Sequence, residues 1–142
     1  MDVRVRYLGG RKFEMMARGH QVLSDQPPGN KGTDSAMTPP ELFLSALGAC
    51  AAYYAAEYLN ARALPAEDLD IRISGEKGDK PVRIVSLRVE VVVPGLTERH
   101  REGVLKAVNL CLLKNTLQAP PQIDVQVSTA NPVAEQEPAP VG

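Results

Sequence analysis

Cys50 and Cys111, 61 positions apart, are the residues of this chain with the most chemistry to offer. A thiolate attacks peroxides and disulfides and binds soft metals, whereas a thiol does so poorly. Two cysteines in a reducing compartment rarely form a permanent bridge; they are either small buried hydrophobes or a catalytic or redox pair. A thiol with the ordinary pKa of about 8.5 is only a few per cent ionised at neutral pH. Apolar surroundings disfavour the charge further, so nucleophilic chemistry at Cys50 calls for a cation beside it. Other site types have little support. His20 and His100 lie far apart, and neither stands at metal-ligand spacing from a cysteine, so exposed histidines are expected rather than a zinc site. The glycines form no phosphate-binding fingerprint, and no Gly-x-Ser-x-Gly elbow is present.

The elements that must position the cysteines can be read from pattern. Thr38 precedes Pro39-Pro40-Glu41, so a hydroxyl cap, prolines in the first turn and a carboxylate three residues on mark a helix start. The helix is expected to run to about Arg62, with no charge between Glu41 and Glu57, and so to be covered on nearly all sides. Cys50 then sits mid-helix with Leu47 and Tyr54 on its own face. The uncharged run Leu42 to Ala56 is shorter than the roughly 18 to 20 apolar residues of a membrane helix, which places it inside protein. Upstream, Val3, Val5 and Tyr7 alternate with Asp2, Arg4 and Arg6 as a half-buried strand ending at Gly9-Gly10. Lys12 to Ala17 and Gln21 to Ser24 read as returning strands, and Asp25 to Met37 as a long, flexible surface loop.

Downstream, Leu69 to Ser74 and Arg83 to Val93 read as an antiparallel hairpin joined through Gly75 to Pro81. Thr97 can cap a second helix, amphipathic through Val104, Leu105 and Val108, which Asn109 interrupts just before Cys111. Gln122 to Val127 reads as a last strand with Ile123, Val125 and Val127 on one face, and the Pro, Ala, Glu tail beyond Ser128 as disordered. The whole is an α+β domain over residues 1–128 with a tail over 129–142. Its 142 residues fit one core, and a net charge of -1, from 16 basic and 17 acidic residues without blocks, argues against nucleic-acid and membrane partners. The N-terminus shows no apolar secretory run, so a cytoplasmic location is expected.

This order of elements resembles the OsmC/Ohr superfamily, whose members include thiol peroxidases for organic hydroperoxides. The carriers are Gly9-Gly10-Arg11, the stretch from Thr38-Pro39-Pro40-Glu41-Leu42 to Leu47-Gly48-Ala49-Cys50, and Cys111 through Leu117, spread over residues 2 to 128. The resemblance implies an intertwined homodimer with antiparallel sheets, a central buried helix and active sites at the interface. Cys50 would be the peroxidatic cysteine. Arg11 would lie over its sulfur, where an ion pair at about 4 Å gains roughly 4 kcal/mol at an effective dielectric near 20; without the family it reads as a solvated turn residue, and Arg18 is a weaker competitor. Glu41 would hold that arginine. It lies one residue nearer the cysteine than the family's carboxylate, a difference of about 100° around a helix, and a capping box explains it equally well.

Cys111 would be the resolving partner that closes a disulfide after Cys50 becomes a sulfenic acid, although Leu112, Leu113 and Lys114 replace the proline and serine usual there. The resemblance implies an organic hydroperoxide as substrate, a dihydrolipoyl group or another small thiol as reductant, and no metal or bound organic cofactor. Two readings stand beside it. One is a non-enzymatic protein of this fold that binds a small apolar or thiol-reactive ligand between Tyr53, Tyr54, Leu47 and Met37; the other is a stress-related scaffold without a ligand.

Overall fold

The computed structural model describes residues 1–130 of the chain. The tail expected to be disordered lies outside the described residues from position 131 on. The chain is α+β with antiparallel sheets.

Three strands, β1 (Arg4–Gly9), β2 (Lys12–Ala17) and β3 (His20–Ser24), form an antiparallel meander. Gly9 and Gly10 carry φ of +103° and +59° at the first turn, values that glycine adopts without a side-chain clash. Directly opposed in the register are Arg6 and Glu14. Glu14 is buried, and its charge is met by the Arg6 guanidinium at 2.6 Å and by the Gln21 side-chain amide. A carboxylate without such partners would be costly at that position.

Residues 25–37 wrap around one side chain. Asp25 is 1% exposed and accepts five hydrogen bonds, from Gln26 N–H and from the N–H and hydroxyl of both Thr33 and Ser35. The Thr33 hydroxyl and the Ser35 N–H are the main causes that hold the Asp25 carboxyl far below the usual carboxylate range, against the opposing effect of burial. The segment expected to be flexible is therefore fastened, because its Thr and Ser residues converge on a carboxylate ten or fewer positions upstream.

The next helix, α1 (Pro39–Asn60), starts at the expected capping box. It packs on the hairpin of β4 (Asp70–Gly78) and β5 (Arg83–Val92) and on two helices, α2 (Glu98–Val108) and α3 (Leu112–Gln118). Ala51, Ala55, Leu59, Val104 and Val108 form the buried centre, with Ile71, Val89 and Val91 against it. Close approach depends on small residues: a Cβ at Gly48 would lie 3.1 Å from Ile73 Cγ1, and one at Gly103 would strike the Tyr58 ring. Although α1 is long and apolar enough to cross a membrane, one row of it forms this core. The helix ends within two residues of the expected Arg62, and it is the whole helix, longer than the uncharged run Leu42 to Ala56, that reaches membrane-spanning length.

Three expectations change in one chain. The helix is not covered on all sides: Phe43, Ala46, Ala49 and Tyr53, which share a face by their three-and-four spacing, are exposed. The β1–β3 meander packs mainly on itself, and none of its residues joins the core cluster. The strand expected over Gln122 to Val127 is absent, and Ile123, Val125 and Val127 are 85, 82 and 92% exposed. Alternation marks a segment suited to a sheet, but a strand forms only where an edge offers hydrogen-bond partners.

Candidate functional site

Cys50 lies halfway along α1, on the seam between its buried row and its exposed face. Cys111 is brought to it by a break in the second helical segment. Chain hydrogen bonds from Leu110 N–H to Ala107 and from Cys111 N–H to Val108 tighten the end of α2, and Cys111 then caps α3. The Lys114 N–H donates to Cys111 Sγ at 3.5 Å. The Cys111 thiol in turn donates to Cys50 Sγ, 2.8 Å away, and both cysteines are free thiols. Burial and the contact with Cys50 push the Cys111 thiol up, against the Lys114 N–H, which favours its ionised form. The two sulfurs are thus in contact, with the charged form of Cys111 disfavoured by its surroundings. Two sulfurs in contact can be joined with only small side-chain movement, since an S–S bond of about 2.05 Å spans Cβ atoms some 3.5 to 4.5 Å apart.

Next to Cys111 lies a cavity of about 510 Å³ between β5, α2 and α3. Its walls include Leu47, Val89, Val91 and Val104, and its polar members include Arg101 and Lys114. Of the pocket walls expected from sequence, Leu47 lines it; Tyr53 is exposed on another face and packs edge-on against Tyr54, while Met37 is exposed beside the Ser45 hydroxyl. Lys114 is the site residue that sequence reading passed over. Its signal was the position three residues after a helix cap, where the N–H points back at the capping side chain.

None of the other expected site residues is hydrogen-bonded to either sulfur. Arg11 is exposed in the β1–β2 turn, on the meander that packs mainly on itself. Arg18 is exposed in the β2–β3 turn with φ of +49°. Glu41 is at the start of α1, about 13 Å along the helix from Cys50 at 1.5 Å per residue. Its Oε2 accepts from the Thr38 N–H at 2.7 Å and the Thr38 hydroxyl at 2.9 Å, and these bonds lower its pKa. His100, expected to be exposed, is half-buried with Nδ1 3.1 Å from the Tyr58 hydroxyl; His20 is exposed. Among the described residues no three His, Cys, Asp or Glu side chains converge to hold a metal ion.

Glu41→Gln is expected to lower the melting temperature slightly, because it weakens the charged half of the capping box, and to leave the iodoacetamide reactivity of Cys50 within about twofold of wild type. The stability gap should close as pH falls through the lowered Glu41 pKa, below which both side chains are neutral. A several-fold change in Cys50 alkylation would instead tie Glu41 to the thiol.

Known proteins resemble this chain in sequence and in fold. A family model described as OsmC-like protein matches residues 32–126, a span that holds both cysteines and Glu41 but not Arg11. Protein YhfA of Escherichia coli K12 is 30% identical over 112 residues, covering 78% of this chain and 80% of that protein. Among solved structures, an OsmC-like protein from Mycoplasma pneumoniae superposes with a TM-score of 0.70 at 19% identity, over 84% of this chain and 87% of that one. An organic hydroperoxide resistance protein OsmC from Legionella pneumophila does so with a TM-score of 0.63 at 17% identity, over 83% and 90%. The two structures share the fold, and the family match spans the capped helix and both sulfurs; the chain belongs to the OsmC-like proteins of the OsmC/Ohr superfamily.

Proposed function

We propose that this protein reduces organic hydroperoxides with its paired cysteines, in defence against oxidative stress. The observation that carries the reading is the contact of 2.8 Å between Cys111 Sγ and Cys50 Sγ. The Cys50 thiolate attacks the distal oxygen of the hydroperoxide, the O–O bond breaks, and the alkoxide leaves as an alcohol after taking a proton. Cys50 becomes a sulfenic acid. The Cys111 thiol then attacks that sulfur, forming the disulfide and releasing water. A dithiol, such as a dihydrolipoyl group, returns both sulfurs to thiols.

The cation for Cys50 comes in this reading from Arg11 of a second copy in a homodimer. Within one chain the meander stands away from the core, while α1 leaves Phe43, Ala46, Ala49 and Tyr53 uncovered beside Cys50. The exposed apolar residues Val5, Tyr7 and Val22 of the meander suit such a second surface. Segment 122–127 gains a sheet edge in the same assembly, which accounts for its strand pattern. Location in the cytoplasm belongs to this reading as well, since a dithiol-regenerated pair needs a reducing compartment.

Purified protein supplied with dihydrolipoamide should turn over cumene or tert-butyl hydroperoxide faster than hydrogen peroxide. Absence of catalysis above the uncatalysed thiol reaction with any hydroperoxide would overturn the reading. The apolar cavity would then favour binding of a small apolar ligand as the function. Arg11→Ala should slow alkylation of Cys50 by iodoacetamide at neutral pH by about tenfold or more, given the roughly 4 kcal/mol that a cation near 4 Å contributes before desolvation. An unchanged alkylation profile across pH would assign Arg11 to the solvated turn.

A further inference from the structure

The far end of α1 gathers side chains that the cysteine chemistry does not use. Tyr58 lies eight residues past Cys50, about 12 Å along the helix. It is seated against α2 where Gly103 leaves room, since a Cβ there would strike the Tyr58 hydroxyl. His100 Nδ1 stands 3.1 Å from that hydroxyl. The Arg62 guanidinium stacks on the ring, with Cζ 3.8 Å from its centroid, and Nη1 donates to the Tyr58 carbonyl oxygen at 3.2 Å. Tyr58 is thus held at its hydroxyl by α2, and it holds Arg62 in turn.

Beside this group lies a cavity of about 630 Å³ between the end of α1 and one face of α2. Arg99, Gly103 and Lys106 follow one another on α2 in steps of four and three, so they form one row, and both cations line the cavity together with Arg62. Among the described residues, none of these three cations is ion-paired with a carboxylate. Arg101 of the same helix shows the alternative, bound to Glu98 at 2.9 Å and absent from this lining. One carboxylate, Glu102, lines the cavity against the three cations, and Ala107 and Leu110 add an apolar wall.

We propose that this cavity binds a small organic phosphate, a dianionic monoester on a compact apolar body. Three cations from two helices suit a group whose oxygens point in several directions, whereas a carboxylate presents two oxygens in one plane. An arginine stacked by its face keeps its in-plane N–H donors for such oxygens. Because Tyr58 already orders Arg62, less freedom is lost when the ligand arrives. The surplus of positive charge favours a dianion over a monoanion or a neutral molecule. The volume falls within the range of about 300 to 1,000 Å³ typical of small-molecule sites. The site is separate from the redox pair: none of its residues is hydrogen-bonded to either sulfur.

The test is a titration of isotope-labelled protein with phenyl phosphate, followed by NMR in low salt at about pH 8, where the ester is a dianion. Saturable binding with a Kd below about 1 mM is expected, with the amide shifts centred on His100, Gly103 and Lys106. Phenol, which lacks the charge, and inorganic phosphate, which lacks the apolar body, should each bind about fivefold or more weakly. Arg62→Gln and Arg99→Gln should each weaken phenyl phosphate binding by about tenfold. Glu102→Gln should tighten it by about twofold or more, a gain that a damaged fold does not produce. Arg88→Gln removes the same charge from an exposed position of β5, and should leave the affinity within about twofold of wild type. Absence of saturable binding, shifts centred elsewhere, equal affinity for phenol or inorganic phosphate, unchanged affinity in the three lining variants, or an equal loss in Arg88→Gln would each overturn the proposal.

Discussion

Cys50→Ser is expected to lower hydroperoxide turnover by about a thousandfold or more, to the level of the free dithiol. A serine hydroxyl stays protonated at neutral pH, and among the described residues the only side chain hydrogen-bonded at this position is Cys111, which is no base for it, so the nucleophilic step is lost outright. Cys111→Ser should behave differently. Its Cys50 can still attack one equivalent of hydroperoxide, giving a burst of one alcohol per chain, but the sulfenic acid then has no thiol at 2.8 Å to receive it. Turnover should stop there, with further oxidation to sulfinic acid when peroxide is in excess. Rapid-quench measurement of alcohol, combined with intact mass, separates the two variants. Steady turnover by Cys111→Ser at the wild-type rate would remove Cys111 from the cycle, and a Cys50→Ser protein that retained its burst would move the nucleophile elsewhere.

The largest effect on stability is expected at Asp25, which no chemical step uses. Asp25→Ala removes the one acceptor on which five donors from Gln26, Thr33 and Ser35 converge, and with it the hydrogen bonds that close the loop. The segment that joins β3 to α1 should loosen, and the melting temperature should fall by several degrees. Asp25→Asn is the sharper probe, since an amide turns two hydrogens toward side chains that donate to the carboxylate. The sign of the pH dependence follows from the lowered pKa. The unfolded Asp takes up a proton near pH 4, whereas the folded one holds its charge to lower pH. Its contribution is therefore complete above the unfolded value and is lost as pH falls through the folded value. The gap between wild type and Asp25→Asn should shrink steadily below about pH 4. A gap that stays constant between pH 7 and pH 2 would mean that the charge of Asp25 contributes nothing.

Much of this protein was legible from local signals. The start of α1 followed from Thr38, two prolines and Glu41, because a capping box involves neighbours within one turn. The hairpin and the meander followed from alternation and glycine turns, and the break at Asn109 from the change of pattern before Cys111. Cys50 and Cys111 stood out as residue types, and their pairing was implied by a family resemblance and not by any periodicity.

What remained depended on distant parts of the chain. That Asp25 would gather Thr33 and Ser35 depends on a loop closing around one carboxylate, and turn composition does not specify such a closure. That Cys111 rather than Cys50 would line an aliphatic cavity depends on where α2 and α3 lie over β5, a packing of side chains far apart in sequence. The residues at 122–127 do alternate, but the segment pairs with neither open sheet of the chain, so pattern alone could not make it a strand. The sequence by itself determined which segments are suited to helix or strand and which side chains carry reactive atoms. Only the tertiary structure decided which of those atoms meet, because contact between residues 61 positions apart is set by the packing of whole elements.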